Sequence, residues 1–89
     1  MRSYEKKKRK LITAKIVNTL SQLCTLKNIS PDTPPEQWIS TREIADQCQL
    51  GIYQARYFLI ILEGNNLVVS TSKSIKNSLR WRIKNQKTN

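Results

Sequence analysis

The 89-residue chain contains no histidine, two cysteines, two glycines and no long apolar run. Two thiols without an imidazole fall short of the four ligands of a structural zinc site. Cys24 and Cys48 each lie in an apolar helical pattern, so we interpret both as reduced core residues and expect no metal or other cofactor. No segment approaches the roughly 20 apolar residues that cross a bilayer.

The groups that usually carry out catalysis are also missing. Without histidine, a glycine-rich phosphate loop or a nucleophile beside a plausible base, the sequence does not favour an enzyme or a small-molecule site. The basic N-terminus is similar to the charged region of a signal peptide, but Lys15 and Asn18 interrupt the apolar stretch that should follow it. We therefore expect a cytoplasmic protein.

Positive charge is abundant, since 16 Lys and Arg against 6 Asp and Glu give a formal net charge of +10. Self-repulsion on this scale disfavours compaction, so we expect a polyanionic partner. Nucleic acid is favoured over an anionic membrane surface, because neither a lipid anchor nor a strongly amphipathic aromatic helix accompanies the basic residues. The chain length allows one small domain.

Residues 1–10 form a basic arm in which five cations follow one another from Lys6 to Lys10. Because positive charge at the start of a helix opposes the helix dipole, the run is expected either outside the first helix or beside a negative partner. Two interpretations of the arm stay open: a solvated tail, or an electrostatic tether to phosphate.

The next segments predict a helix, a loop and a short strand. Apolar residues recur at helical spacing from Leu11 to about Leu26 and indicate one packed face. Three prolines within Lys27–Gln37 predict a loop. Trp38 and Ile39 then predict a very short strand at the edge of a sheet that forms later in the chain.

The stretch Thr41–Val68 is typical of a helix-turn-helix, in which the second helix lies in the major groove of DNA. Ser40 and Glu43 have the spacing of a capping box. In such a box the Ser40 hydroxyl accepts a hydrogen bond from the Glu43 backbone amide, and the Glu43 carboxylate accepts one from the Ser40 backbone amide. The residues expected to close the turn between the helices are Ala45, Gln49, Leu50 and Gly51.

The helix after this turn is predicted from Ile52 to Glu63. The residues spaced as its buried face are Ala55, Phe58, Leu59 and Leu62. The opposite face, near the helix start, occupies the place of base-contacting side chains in a recognition helix, and its candidates are Tyr53, Gln54, Arg56 and Tyr57. Arg56 would bond guanine and Gln54 adenine, with the tyrosines on phosphate or a thymine methyl group. The alternative is an ordinary solvated face.

Ile60 and Ile61 make the apolar part of this helix wider than one packed face. Ile61 projects away from Leu59, so either the first helix or the following hairpin covers it, or it belongs to an exposed patch for a partner protein. Both isoleucines are therefore candidate partner contacts.

A β-hairpin is predicted after this helix. Asn66 is placed to take a left-handed conformation, Leu67–Thr71 is strand-like, and Leu79–Lys84 alternates apolar and basic residues. Two cations of the intervening turn, Lys73 and Lys76, are further candidate DNA contacts. Arg42, at the start of the helix-turn-helix, completes the set. The alternative for the hairpin cations is solubility alone.

A hairpin directly after a helix-turn-helix is a wing. The predicted fold class is therefore α+β: a small winged helix-turn-helix domain over residues 11–84, with three helices and a C-terminal two- to three-stranded antiparallel sheet. Residues 85–89 have no periodic pattern and are predicted to be a frayed tail.

The segments TREIADQC and YQARYFLIILE, followed by LVV and a basic hairpin, resemble the FaeA/PapI-like regulators of bacterial fimbrial operons, which are small winged-helix proteins. The resemblance covers roughly Ile39 to Ile83 and is most specific at the Tyr53–Tyr57 block, which corresponds to the family's DNA-contacting region. The chain departs from the family in its longer basic N-terminus, in a proline loop at Pro31–Pro35 and in Asn66, where the family usually has glycine.

The resemblance implies a bacterial, nucleoid-associated protein that controls the transcription and phase variation of adhesin genes. Its implied partners are double-stranded DNA, at GATC-containing sites read by the adenine methylase, and the leucine-responsive regulatory protein. A second hypothesis is a protein-interaction adaptor, which binds a DNA-bound co-regulator through Tyr57, Ile60 and Ile61 with little base readout of its own.

Overall fold

The computed structural model describes the backbone of residues 2–71, 73–75 and 78–84, and their side chains from residue 7 onward. In chain order the elements are α1 (Arg2–Leu26), a 3₁₀ turn (Pro35–Gln37), β1 (Ile39–Ser40), α2 (Thr41–Cys48), α3 (Ile52–Gly64), β2 (Val68–Ser70) and β3 (Arg80–Ile83). Within these residues, no helix combines the length and the apolar character that crossing a bilayer requires.

The three strands form one antiparallel sheet in the order β1–β3–β2. The central strand, β3, places Trp81 opposite Ile39 of β1 and opposite Ser70 of β2. Its alternation buries Trp81 and Ile83, as the sequence pattern predicts, and β3 packs against α1. Three helices with a three-stranded antiparallel sheet confirm the predicted α+β winged helix-turn-helix fold.

The core lies where α1 packs against α2, α3 and the sheet. Apolar side chains from all of these elements meet there, among them Ile16, Leu20, Ile44, Leu59, Val68 and Trp81. Cys24 and Cys48 belong to the same buried cluster and are free thiols, as predicted. The helical spacing of the apolar residues in the sequence therefore identifies the packed faces correctly.

Helix α1 begins at Arg2. The sequence pattern predicts a start near Leu11, and that prediction is wrong. Between these two residues the chain has no proline or glycine, and Lys and Arg are good helix formers, so nothing in the sequence ends the helix earlier. The basic run therefore lies inside α1 and continues it beyond the core.

Two local predictions also need correction. Strand β1 is shifted by one residue, to Ile39–Ser40, because the Trp38 amide donates to the Pro35 carbonyl and closes the 3₁₀ turn. The capping box is half formed: Ser40 Oγ accepts the Glu43 amide at 3.1 Å, but the Glu43 carboxylate pairs with Lys27 Nζ at 2.8 Å.

A short chain of hydrogen bonds joins the sheet to the helix-turn-helix. The buried Trp81 indole donates its Nε1–H to Thr41 Oγ1 at 2.9 Å, and that hydroxyl donates to the Leu79 carbonyl at 3.0 Å. The Thr41 amide also donates to the Leu79 carbonyl, at 3.2 Å. Because Thr41 is the first residue of α2, these bonds fix β3 against the start of that helix.

Replacing Thr41 with valine should therefore destabilise the domain more than its change in shape suggests. Thr41→Val keeps the side-chain shape but leaves the buried indole N–H without an acceptor, which should lower the free energy of unfolding by about 2 kcal/mol. Urea unfolding followed by tryptophan fluorescence measures the loss. Thr41→Ser is the matched control, because it keeps the hydroxyl and costs about 0.8 kcal/mol for one methyl group. A valine variant as stable as the serine variant would contradict this role.

Candidate nucleic-acid interface

The turn that joins α2 to α3 is fixed by its backbone. Gln49 has a left-handed φ of 59°, and its amide donates to the carbonyls of Ala45 and Asp46. The Leu50 amide also donates to the Ala45 carbonyl, at 2.9 Å, while its side chain packs against the core. Gly51 then stands at the N-cap of α3. The turn is thus closed by the residues that the sequence predicts for it.

Helix α3 buries one face and exposes the other. Its buried residues are Ala55, Phe58, Leu59 and Leu62. On the opposite face Tyr53 is 84% exposed and Tyr57 is 50% exposed, and Gln54 and Arg56 are exposed beside them. The Tyr57 ring meets the Phe58 ring edge-on, with 5.1 Å between centroids, and this contact orients it. All four predicted DNA-contacting residues of this helix therefore point to solvent.

A cleft of about 260 Å³ separates α3 from the hairpin. Tyr53 and Arg56 line it from α3, and Ser74 and Ser78 line it from the hairpin. A β-bridge between Ile75 and Ser78 shapes the hairpin at this point. The cleft thus gathers a guanidinium, a phenol and two hydroxyls, groups that donate to phosphate oxygens and to base edges.

A second groove, of about 280 Å³, lies on the other side of α3, between this helix and the N-terminal part of α1. Gln54 lines it from α3, while Lys8 and Arg9 line it from α1. The two residues predicted to contact bases are therefore divided between the flanks of α3, since Arg56 faces the hairpin and Gln54 faces α1.

The other predicted contacts lie around these two clefts. Lys73 in the hairpin and Arg42 in the first turn of α2 are both exposed, but neither lines a cleft. Lys76 lies outside the described residues. Ile60 is 47% exposed and Ile61 is 37% exposed. Both isoleucines are thus partly exposed, and their assignment as partner contacts stays a prediction.

The predicted set of DNA-contacting residues leaves out five polar residues that line the two clefts: Lys8, Arg9, Thr41, Ser74 and Ser78. Lys8 and Arg9 belong to the basic arm, for which the sequence leaves a phosphate tether open, but the sequence does not place them beside the recognition helix. Lys8 and Arg9 precede Ile12 by four and three residues, which is the spacing of one helix face. Had the first helix been predicted to begin earlier, this spacing would have placed both cations on the same face as Ile12. The serines carry no comparable signal, because their position depends on the path of the hairpin turn.

The electrostatics of both clefts favour an anion. Among the described side chains, no acidic residue lines either one. The ion pair found among the described residues joins Lys27 to Glu43, at the start of α2.

Burial raises the pKa of the Cys24 thiol, which keeps it protonated and unreactive. In the part of the chain that the structure describes, no group of side chains is placed to hold a metal ion.

A helix-turn-helix whose exposed second helix lies beside a β-hairpin defines a winged helix-turn-helix protein. Residues 15–84 match the family model described as FaeA-like protein, and the chain belongs to that family. In general this is a family of fimbrial regulators and not of enzymes. Searches of curated proteins and of solved structures gave no match.

Proposed function

We propose that this protein is a transcriptional regulator of a fimbrial or adhesin operon, which binds double-stranded DNA with α3 in the major groove and with the hairpin on the backbone. The observation that carries the proposal is the cleft in which Tyr53 and Arg56 of α3 meet the hairpin hydroxyls. In a chain of net charge +10, a donor-rich cleft whose described lining residues include no carboxylate is complementary to phosphate and to base edges.

The exposed side chains of α3 differ in the DNA groups that they suit. The planar guanidinium of Arg56 matches the O6 and N7 acceptors of guanine, and the Gln54 amide matches N6 and N7 of adenine. Tyr53 and Tyr57 each combine a hydroxyl with an apolar ring, so they suit a phosphate oxygen or a thymine methyl group. Together they would give base readout near the start of α3.

The start of α3 supports this orientation. The Ser40 side chain caps α2, whereas Gly51 gives α3 no side-chain cap, and the first turn of α3 has no acidic residue. Amides at an uncapped helix start are donors for phosphate. A Cβ added at Gly51 would meet no atom within 4 Å, so a DNA strand can approach the backbone there.

Base readout by Arg56 is tested by comparing two duplexes. Arg56→Ala should weaken binding to the cognate site by about 1–3 kcal/mol, or about 5- to 150-fold, and leave binding to a scrambled duplex nearly unchanged. Lys73→Ala is the comparison variant, because loss of a phosphate contact should weaken binding to both duplexes and make the negative salt slope shallower by about 0.9. Fluorescence anisotropy over a range of salt measures both quantities. Equal loss on both duplexes for Arg56→Ala would show that it does not read bases.

We extend the proposal to GATC-containing sites, on the basis of the family to which residues 15–84 belong. Footprinting on the DNA that flanks this protein's own gene should show protection over a GATC sequence, and adenine methylation should change that protection because it alters the major-groove edge of adenine. Identical footprints on methylated and unmethylated DNA would remove methylation from the mechanism and leave DNA binding itself in place.

A second function, that of an adaptor for a DNA-bound co-regulator such as the leucine-responsive regulatory protein, is favoured by Ile60 and Ile61. Both are exposed on α3, where they contribute little to the core. Exposed aliphatic side chains that adjoin aromatic ones are typical of protein contacts. The chain has one recognition helix, so its own DNA affinity is expected to be modest, and a partner would raise it.

Titration of the protein onto operator DNA, with and without the co-regulator, separates the two functions. Ile60→Ser/Ile61→Ser should weaken binding in the presence of the co-regulator by about 5-fold or more and leave binding by the protein alone unchanged. Leu26→Ser, which alters an exposed leucine at the end of α1, is the control and should change neither. Equal behaviour of the two variants would exclude the isoleucines as a partner contact.

A further inference from the structure

The first turns of α1 precede the segment that matches the family, which begins at residue 15. They carry four consecutive exposed cations with described side chains, from Lys7 to Lys10. Two of these, Lys8 and Arg9, line the groove beside α3. These two cations are therefore part of the surface that surrounds the proposed recognition helix.

The position of Lys8 and Arg9 follows from the packed face of α1. Ile16 is fully buried, and Ile12, one turn earlier, packs at the edge of the core. One further turn toward the N-terminus brings Lys8 and Arg9 onto this face, where the aliphatic residues of α1 end and Gln54 of α3 lies across the groove. A helix anchored in the core thus holds two cations beside the exposed face of α3.

These cations have no opposite charge among the described side chains. The ion pair found there joins Lys27 to Glu43, and none of the described residues that line the groove is acidic. The Thr13 hydroxyl lies 3.0 Å from the backbone carbonyls of Arg9 and Lys10, to which it donates, and the side chains of both cations are exposed. Neighbouring like charges repel, and an anionic ligand would relieve that repulsion.

We propose that Lys8 and Arg9 form a second phosphate-contacting element, which holds the DNA strand on the α1 side of α3, opposite the strand that the hairpin holds. This inference rests on the proposed function, because it takes α3 to lie in the major groove. That groove is about 12 Å wide and is bordered by phosphates on both sides. A helix lying in it therefore meets negative charge on both flanks, and this protein has donors on both.

The element contributes affinity and position, and it does not contribute base specificity. Phosphate contacts are independent of sequence and fix the register of a protein on the duplex. Held between the hairpin and α1, α3 would be constrained in its rotation within the groove. Arg56 and Gln54, which face the two flanks, would then each reach a defined base step.

The test is the salt dependence of duplex binding by the full chain. Lys8→Gln/Arg9→Gln removes two cations and should make the negative slope of log affinity against log salt shallower by about 1.8, or about 0.9 per phosphate contact. At 0.1 M salt this corresponds to about 8-fold weaker binding per contact, equal on cognate and scrambled duplexes.

The matched control is Lys7→Gln/Lys84→Gln, which removes the same charge. Lys7 belongs to the basic run but lies about 200° around α1 from Arg9, and it does not line the groove. Lys84 follows β3, with its Nζ 3.5 Å from Asn66 Oδ1, beyond the other end of α3. This control should change the slope far less than the groove variant does. Lys8→Arg/Arg9→Lys keeps the charge and should keep the wild-type slope.

All of these side chains are exposed, so far-UV circular dichroism and the urea midpoint should stay unchanged. A shallower slope for the groove variant alone supports the inference. If the wild type binds DNA and the two charge-removing variants behave alike, the α1 contact is overturned and the proposed function stands. If the wild type binds no duplex, both proposals fall.

Discussion

The relation between the hairpin and the helix-turn-helix depends on one buried side chain, the indole of Trp81. It lies in the central strand, paired on one side with β1 and on the other with β2. Its N–H is satisfied by Thr41, the residue that starts α2. Burying an indole N–H without an acceptor costs free energy, and Thr41 is the acceptor here. The sheet is therefore most stable in the position that keeps this bond to the start of α2. Thr41 also lines the cleft that contains Arg56, so the same bond sets the geometry of the candidate site.

Periodicity and turn chemistry predict most of this fold, because they report on burial and on backbone conformation. The spacing of Ala55, Leu59 and Leu62 identifies the packed face of α3, and the left-handed Asn66 is predictable because asparagine tolerates that conformation. The start of α1 is not predictable in this way. A basic run before the first apolar residue has the composition of a tail as much as of a helix, and only the absence of a helix breaker argues for the latter.

The sequence predicts which residues of α3 are exposed, but it does not predict which residues of other elements lie beside them. Helical spacing assigns Gln54 and Arg56 to the exposed face of α3, but it cannot assign them to different flanks, because that depends on where α1 and the hairpin pack. The ion pair of the Glu43 carboxylate also depends on packing. The sequence predicts a bond to Ser40, which is close in the chain, but the carboxylate pairs with Lys27, which comes near only when α1 packs against α2. Contacts between distant segments decide both cases.

The exposed face of α3 changes in chemistry along its length, and this bears on whether DNA and a protein partner compete for it. The polar and aromatic residues lie near its start, flanked by donors from the hairpin and from α1. Ile60 follows Tyr53 by seven residues, which is about 10 Å along the helix axis. A duplex that takes the first turns of α3 would therefore leave the isoleucines at its edge. A co-regulator bound to adjoining DNA would meet them there, and the two weak contacts would reinforce each other through effective concentration.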